Sequence, residues 1–333
     1  MGVVSPRRAA EELGYGFALL VFARWVVGLR RAGTFVWSHV TPEALLRGDA
    51  PTPFQYRALT GWVAHAVAPF TRDARSAFDV VEAAAAVGLV IVFRLHMTAL
   101  VTPPDADDAS REAARRFGVL ASPLVAAMIP LQYVLLGDVA GLHRYVYFPW
   151  DLPAALGFLA CLSLLRARRW TLYYPCFVLA TLARETTCFL PLLLLFDVPR
   201  GGGDRKLAAH VFAQAALWLG VKLALRWHDR HNAGDGAWVD TLDDNLRLLS
   251  DPGAASRVLG CFGFLWVPAA AFARTIPDRF TRRALWILPV WFAGMLRVGN
   301  LYELRIFGEL IAVVLPAWLL AARAAAGAPS PSR

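Results

Sequence analysis

Stretches approaching or exceeding the roughly 20 apolar residues that cross a bilayer recur along this chain, and few folds are open to such a pattern. No water satisfies the backbone inside a bilayer, so each run must close its own hydrogen bonds, as a helix does. The runs lie near residues 14–29, 78–101, 117–136, 152–165, 207–225, 258–273, 284–296 and 306–322. Residues 171–198 form another apolar stretch, interrupted at its middle by Arg184 and Glu185. With 57% hydrophobic and 18% charged residues, the chain lacks the polar surface that a soluble globule of 333 residues needs. The expectation is an all-α integral membrane protein, a single transmembrane domain of about nine to ten membrane-inserted helices.

The net charge of +9 does not point to nucleic acid, because the basic residues sit in short clusters between apolar runs. That is the pattern of juxtamembrane arginines facing anionic lipid. Cys161, Cys176, Cys188 and Cys261 lie inside apolar runs without ligand spacing, so they read as buried small hydrophobes. No Walker loop or GxSxG occurs, and "GGGDRK" from Gly201 lacks the ending of a phosphate loop.

The arginine clusters orient the chain when successive connections are assigned to alternate sides. Arg7 and Arg8, Arg111 to Arg116, Arg166 to Arg169, Arg200 to Lys206 and Arg274 to Arg283 fall on one side, expected to be cytoplasmic with the N-terminus. The alternation closes if 171–198 is a hairpin of two short helices turning near Arg184, entering and leaving on that side. Residues 30–76, 137–151, 227–256 and 297–305 are then outside, with a cytoplasmic tail at 324–333. The long first outer loop contains "QYRALTGWVAHAVAPF", residues 55–70, which reads as an amphipathic interfacial helix. The cell (inner or plasma) membrane is the expected location.

Ionisable groups at membrane depth cost on the order of 3 kcal/mol each and usually face a cavity or one another. Here Gln55, Tyr56 and Arg57, then His143, Arg144, Tyr145, Tyr147 and Asp151, then Arg184 and Glu185, then Asn300, Glu303, Arg305 and Glu309 converge on the outer face. Arg184 and Glu185 could be a self-neutralising pair or a substrate contact. On a regular helix Arg305 and Glu309 would pair on one face, with Glu303 about 200° away from Arg305. Glu82, Arg94 and His96 sit near the ends of the second span, where Arg94 and His96 can snorkel to water. Trp150, Trp170, Tyr173, Tyr174, Trp227, Trp266 and Trp286 fall at span ends and suggest an interfacial belt.

Four segments in order, "PFQYRAL", "YVYFPWDLPA", "LARETTCFLPLLLL" and "NLYELRIFGELIAVVLPA", resemble bacterial multi-spanning proteins of the GT-C glycosyltransferase-like superfamily. The resemblance touches residues 53–316. It implies an enzyme that moves a sugar from a polyprenyl-phosphate carrier to an acceptor on the outer face, in contact with membrane lipid. Such enzymes place an acid in the first outer loop, as general base or as holder of a divalent cation. Where relatives show an aspartate before a tyrosine, this chain has Trp37, Ser38 and His39, and its first acids are Glu43 and Asp49.

The resemblance thus implies Asp49 or Glu43 as the catalytic acid, with the metal unassigned. Arg57 and Arg305 would bind phosphate, and Glu185 and Glu303 would hold the arginines or sugar hydroxyls. Tyr56, Gln55, His143, Arg144, Arg184 and Asn300 complete the expected substrate-binding set. Two alternatives stay open: a transporter or lipid flippase with Arg184 and Glu185 at a broken helix, or a non-catalytic subunit of a membrane protein partner.

Overall fold

A computed structural model describes residues 6–135, 145–197, 205–234 and 240–327, and these are almost wholly helical. Helix α1 (Pro6–Gly33) leads into a two-residue strand β1 (Thr34–Phe35), then α2 (Pro42–Arg47) and α3 (Ala58–Val67) of the first loop. Next come α4 (Ala74–Val101), α5 (Asp108–Pro130), a second short strand β2 (Tyr145–Val146) and α6 (Asp151–Arg166). Then follow α7 (Trp170–Ala183), α8 (Leu190–Phe196), α9 (Arg205–His228), α10 (Leu242–Ser250) and α11 (Pro252–Leu259). The chain closes with α12 (Trp266–Ala271), α13 (Arg279–Ala284), α14 (Ile287–Val298) and α15 (Ile311–Ala325). The strands pair in parallel, Thr34 with Tyr145 and Phe35 with Val146, and pin the first loop to the entrance of α6.

Among the described residues, five helices are long and apolar enough to cross a membrane: Arg8–Gly33, Ala74–Val101, Asp108–Tyr133, Arg205–His228 and Leu304–Ala325. Their composition and surfaces make this a membrane protein. Leu13, Phe17 and Leu20 on α1 and Phe212, Leu223 and Trp227 on α9 are exposed, as side chains facing lipid would be. The last span is the reverse: every residue from Leu304 to Ala317 is buried, so it forms the axis of the bundle.

Local chemistry fixes where the helices start. Asp73 caps α4 by accepting from Ser76 N at 2.7 Å, and Asp107 caps α5 by accepting from Ser110 N at 2.8 Å. The hairpin these two helices form is close because Gly118 faces Thr98 and the Arg94 carbonyl, where a Cβ would collide.

Two apolar stretches depart from simple spans. Residues 258–273, expected as one span, are broken after α11 by positive φ at Phe262, Gly263 and Phe264, so α12 is a separate short helix. Residues 171–198 bend at Arg184, whose extended backbone (φ −162°, ψ 148°) ends α7 before a 3₁₀ turn and α8. The two ends of this excursion are tied together by an Arg168–Asp197 ion pair, so the chain leaves at the end of the bundle where it entered.

The first loop carries the interfacial segment in three pieces: a turn at Phe54–Tyr56, α3, and a turn at Ala68–Phe70. Ala58, Thr60 and Ala64 pack inward, whereas Trp62, Val63 and Phe70 are exposed. The aromatic belt is only partly realised. Trp227 and Trp286 are exposed, but Trp150 and Tyr173 are fully buried, because Trp150 packs on Phe54 and Phe148 and Tyr173 donates to Gln214 at 2.7 Å. All four cysteines are free thiols, Cys161 and Cys261 buried and Cys176 and Cys188 partly so.

Candidate functional site

The chain direction alternates from span to span, and the consequence is a gathering of charged residues at one end of the bundle. Arg30 ends α1, Glu82 lies two turns into α4, Asp151 starts α6, Arg184 ends α7 and Glu309 precedes α15. All five are less than 5% exposed, and so is Arg305. Each comes from a different segment of sequence, so only the tertiary fold could bring them together.

Asp151 is the hub. Its Oδ1 lies 3.2 Å from Arg305 Nη1 and 3.7 Å from Arg184 Nη1, and its Oδ2 lies 3.6 Å from Arg30 Nη2. Each guanidinium also has an acid of its own: Glu82 at 2.7 Å from Arg30, Glu309 at 3.2 Å from Arg184, and Glu303 paired with Arg305. Thr186 donates to Glu309 at 2.7 Å, Arg30 donates to the Phe148 carbonyl at 2.9 Å, and the Arg305 guanidinium lies 3.9 Å over the Phe148 ring. Three arginines and four carboxylates are thus interleaved so that no guanidinium lacks an acid, which is what burial demands of charge.

The network is not fully hydrogen-bonded. Among the described residues, Asp151 Oδ2, Glu309 Oε2 and the hydroxyls of Tyr133 and Tyr147 are buried without a hydrogen-bond partner. Buried polar groups are usually hydrogen-bonded, so this end of the bundle carries unused donor and acceptor capacity. Tyr133 reaches it because Gly308 has no side chain: a Cβ there would overlap the tyrosine hydroxyl.

Above this core lies a more open cationic mouth. Arg57 Nη2 donates to Glu185 Oε1 at 2.8 Å, and Lys222 Nζ stands 3.9 Å from the other carboxylate oxygen. The Arg57 guanidinium lies 4.7 Å over Trp150, and Lys222 lies 5.4 Å over Tyr56. Two cations therefore share one carboxylate, and the three side chains are 12%, 18% and 38% exposed for Arg57, Lys222 and Glu185. Beside them Arg31 and Arg75 share Asp79.

No family model, curated protein or solved structure matches this chain.

The structure brings together Arg57, Tyr56 and Glu185 at the mouth, and Arg184, Glu303 and Arg305 in the core. Gln55 is buried beside the mouth with its Oε1 unpartnered among the described residues, and Asn300 is exposed on the turn before Glu303. Asp49 and Glu43 are exposed on the first loop, Asp49 paired with Arg47 at 2.9 Å. His143 and Arg144 lie outside the described residues.

Three expectations about pairing are corrected. Arg184 and Glu185 do not neutralise each other, because the extended backbone at Arg184 sends one inward to Asp151 and Glu309 and the other out to Arg57. Arg305 pairs with Glu303 and Asp151, leaving Glu309 to Arg184, since Leu304–Leu310 is 3₁₀ rather than α-helix. At 120° per residue, Arg305 and Glu309 point about 120° apart. His96 does not snorkel; it is buried, with Nδ1 2.8 Å from the Ser163 hydroxyl, while Arg94 pairs with Glu12. Residues missed from the sequence are Arg30, Glu82, Asp79 and Lys222. The adjacent Arg30 and Arg31 at a span end, and a lysine within an apolar helix, were the available signals.

Proposed function

We propose that this protein is a membrane transferase of the GT-C type, taking a sugar from a polyprenyl-phosphate carrier at the outer face of the cell membrane. In this reading the N-terminus is cytoplasmic, and α6, the α7–α8 excursion, α12 and α14 are inserted beside the five long spans, giving about nine to ten inserted helices. The observation that carries it is the mouth: among the described residues Arg57 and Lys222 share Glu185 as their one acid and together leave one positive charge, within reach of solvent, above a buried ionic core. A phosphate oxygen fits such a pair, with Arg57 able to offer two parallel N–H groups.

The acceptor hydroxyl attacks the anomeric carbon and passes its proton to a first-loop carboxylate, Asp49 or Glu43. The bond from that carbon to the phosphate oxygen breaks, its electron pair stays on the phosphate, and Arg57 and Lys222 offset the charge. A divalent cation does not fit the residues described, because no three metal-ligating side chains cluster and each carboxylate of the core faces a guanidinium. No step is drawn through a metal.

The broken helix at Arg184 favours a second reading, a transporter, because interrupted helices expose backbone and charge inside a bundle. Sugar transfer from a polyprenyl-phosphate sugar, measured in proteoliposomes together with retention of the carrier, decides the matter. Asp49→Asn or Glu43→Gln should cut transfer by about 100-fold with the carrier still retained. Arg57→Ala and Lys222→Ala should weaken retention itself. Solute or lipid flux without transfer would replace this reading with the transporter, and neither activity nor retention would leave a non-catalytic subunit.

A further inference from the structure

A cavity of about 930 Å³ opens on the side of the bundle away from the mouth, between α11–α12, the α13–α14 segment and the axial helix. Its inner wall is the buried face Phe307, Leu310 and Val314, and it opens to the surface along Ala270, Ala271 and Trp286, all exposed. The polar lining is concentrated in three arginines, Arg274, Arg282 and Arg283. These lie at the end of the bundle opposite the ionic core: Arg283 donates to the Asp197 carbonyl at 3.0 Å, and Asp197 is paired with Arg168 just beyond the end of α6. The apolar end of the cavity reaches Cys261, which donates to Gln132 just beneath the core.

Two of the three arginines, Arg274 and Arg282, make no ion pair among the described residues. Arg282 spends one N–H on the Ile276 carbonyl at 3.0 Å, and Arg283 is 3.9 Å from Asp197 Oδ1, a carboxylate already held by Arg168 and Arg279. Arg274 is exposed and makes no ion pair among the described residues. An apolar groove with a cationic mouth at one end fits an amphipathic anion, tail inward and head at the arginines.

We infer that this groove holds an anionic glycerophospholipid, its phosphate at Arg274, Arg282 and Arg283 and its acyl chains against Phe307, Leu310 and Val314. The site is separate from the carrier proposed above, whose phosphate belongs at Arg57 on the other end of the bundle. A phospholipid, rather than the carrier, is the occupant the charge favours, because the arginines lie in the segments assigned to the inner leaflet, where anionic lipid meets juxtamembrane arginine.

The test exchanges purified protein into equimolar phosphatidylglycerol and phosphatidylcholine and reads retained lipid by native mass spectrometry. Phosphatidylglycerol should be retained preferentially, and the Arg274→Ala, Arg282→Ala double variant should lose about tenfold, the scale of a charge-assisted hydrogen bond. Ala270→Trp, which fills the groove from its exposed rim and leaves the arginines intact, should lower retention equally. Arg111→Ala, at an exposed arginine of the same end of the bundle, should not change it. Equal retention of the two lipids, undiminished retention in the arginine variant, uptake of a long-chain isoprenyl monophosphate that the arginine double variant abolishes, or loss in Arg111→Ala would each overturn the assignment.

Discussion

Asp151 decides the character of the charged end, because one carboxylate serves three guanidiniums that have no other common partner. Removing one member of a buried charge pair costs about 3–5 kcal/mol, since the remaining charge cannot return to water. Asp151→Asn keeps the shape and removes the charge, so a loss of that order is expected, read as a fall in the thermal midpoint of the purified protein. Asp49→Asn supplies the contrast: its pair with Arg47 is exposed on both sides, and such pairs contribute little. That midpoint should not move. The sequence could supply the residue types of this core but not their pairing. Asp151 follows Trp150 in a segment that looks like any helix start, and Glu82 is only an acid near a span end until Arg30, 52 positions earlier, is placed against it. The Arg305–Glu309 pairing was misread for a different reason: α-helical spacing was assumed where the chain is wound more tightly.

At the scale of elements, hydropathy located α1, α4, α5, α9 and the axial span, because each is long and nearly unbroken in its apolar content. It could not show the break at Phe262 to Phe264, where the residues stay apolar while the backbone turns left-handed. It did mark the bend at Arg184, since a charge pair in a leucine-rich run rarely continues through a bilayer. Three of the short helices, α2, α11 and α13, start at a side-chain cap. Asp278 caps α13 by accepting from Thr281 N at 2.8 Å and also pairs with Arg166 at 2.9 Å, joining α13 to the end of α6. Burial pushes its carboxyl upward, but the Arg166 guanidinium and the Thr281 N–H outweigh that and hold it below the ordinary aspartate range. A carboxyl lowered in the folded state adds stability that is full above the unfolded value near 4 and is lost as pH falls through the folded one. Wild type should therefore exceed Asp278→Asn in thermal midpoint at pH 7, and the gap should narrow progressively below about pH 4. A gap that stays constant to pH 2 would show that the charge of Asp278 does not matter.

At the scale of the molecule, the two ends of the bundle have different electrostatics. One end buries its charges in a shared core beneath Arg57 and Lys222. The other carries arginine clusters at Arg111 to Arg116, Arg166 to Arg169 and Arg274 to Arg283, partly paired with Glu11, Glu12, Glu112 and Asp197. The excess of arginine in short connections is the ground for the proposed orientation, with that end in the cytoplasm and the ionic core at the outer leaflet. Everything proposed for the mouth rests on this orientation. Single cysteines at Asp105, between α4 and α5, and at His231, after α9, both exposed, report the two ends directly in a background without native cysteines. With a membrane-impermeant thiol reagent added to intact cells, the account predicts that the His231 position labels and the Asp105 position does so only after the membrane is opened. Labelling of both in intact cells, or of Asp105 alone, would contradict it.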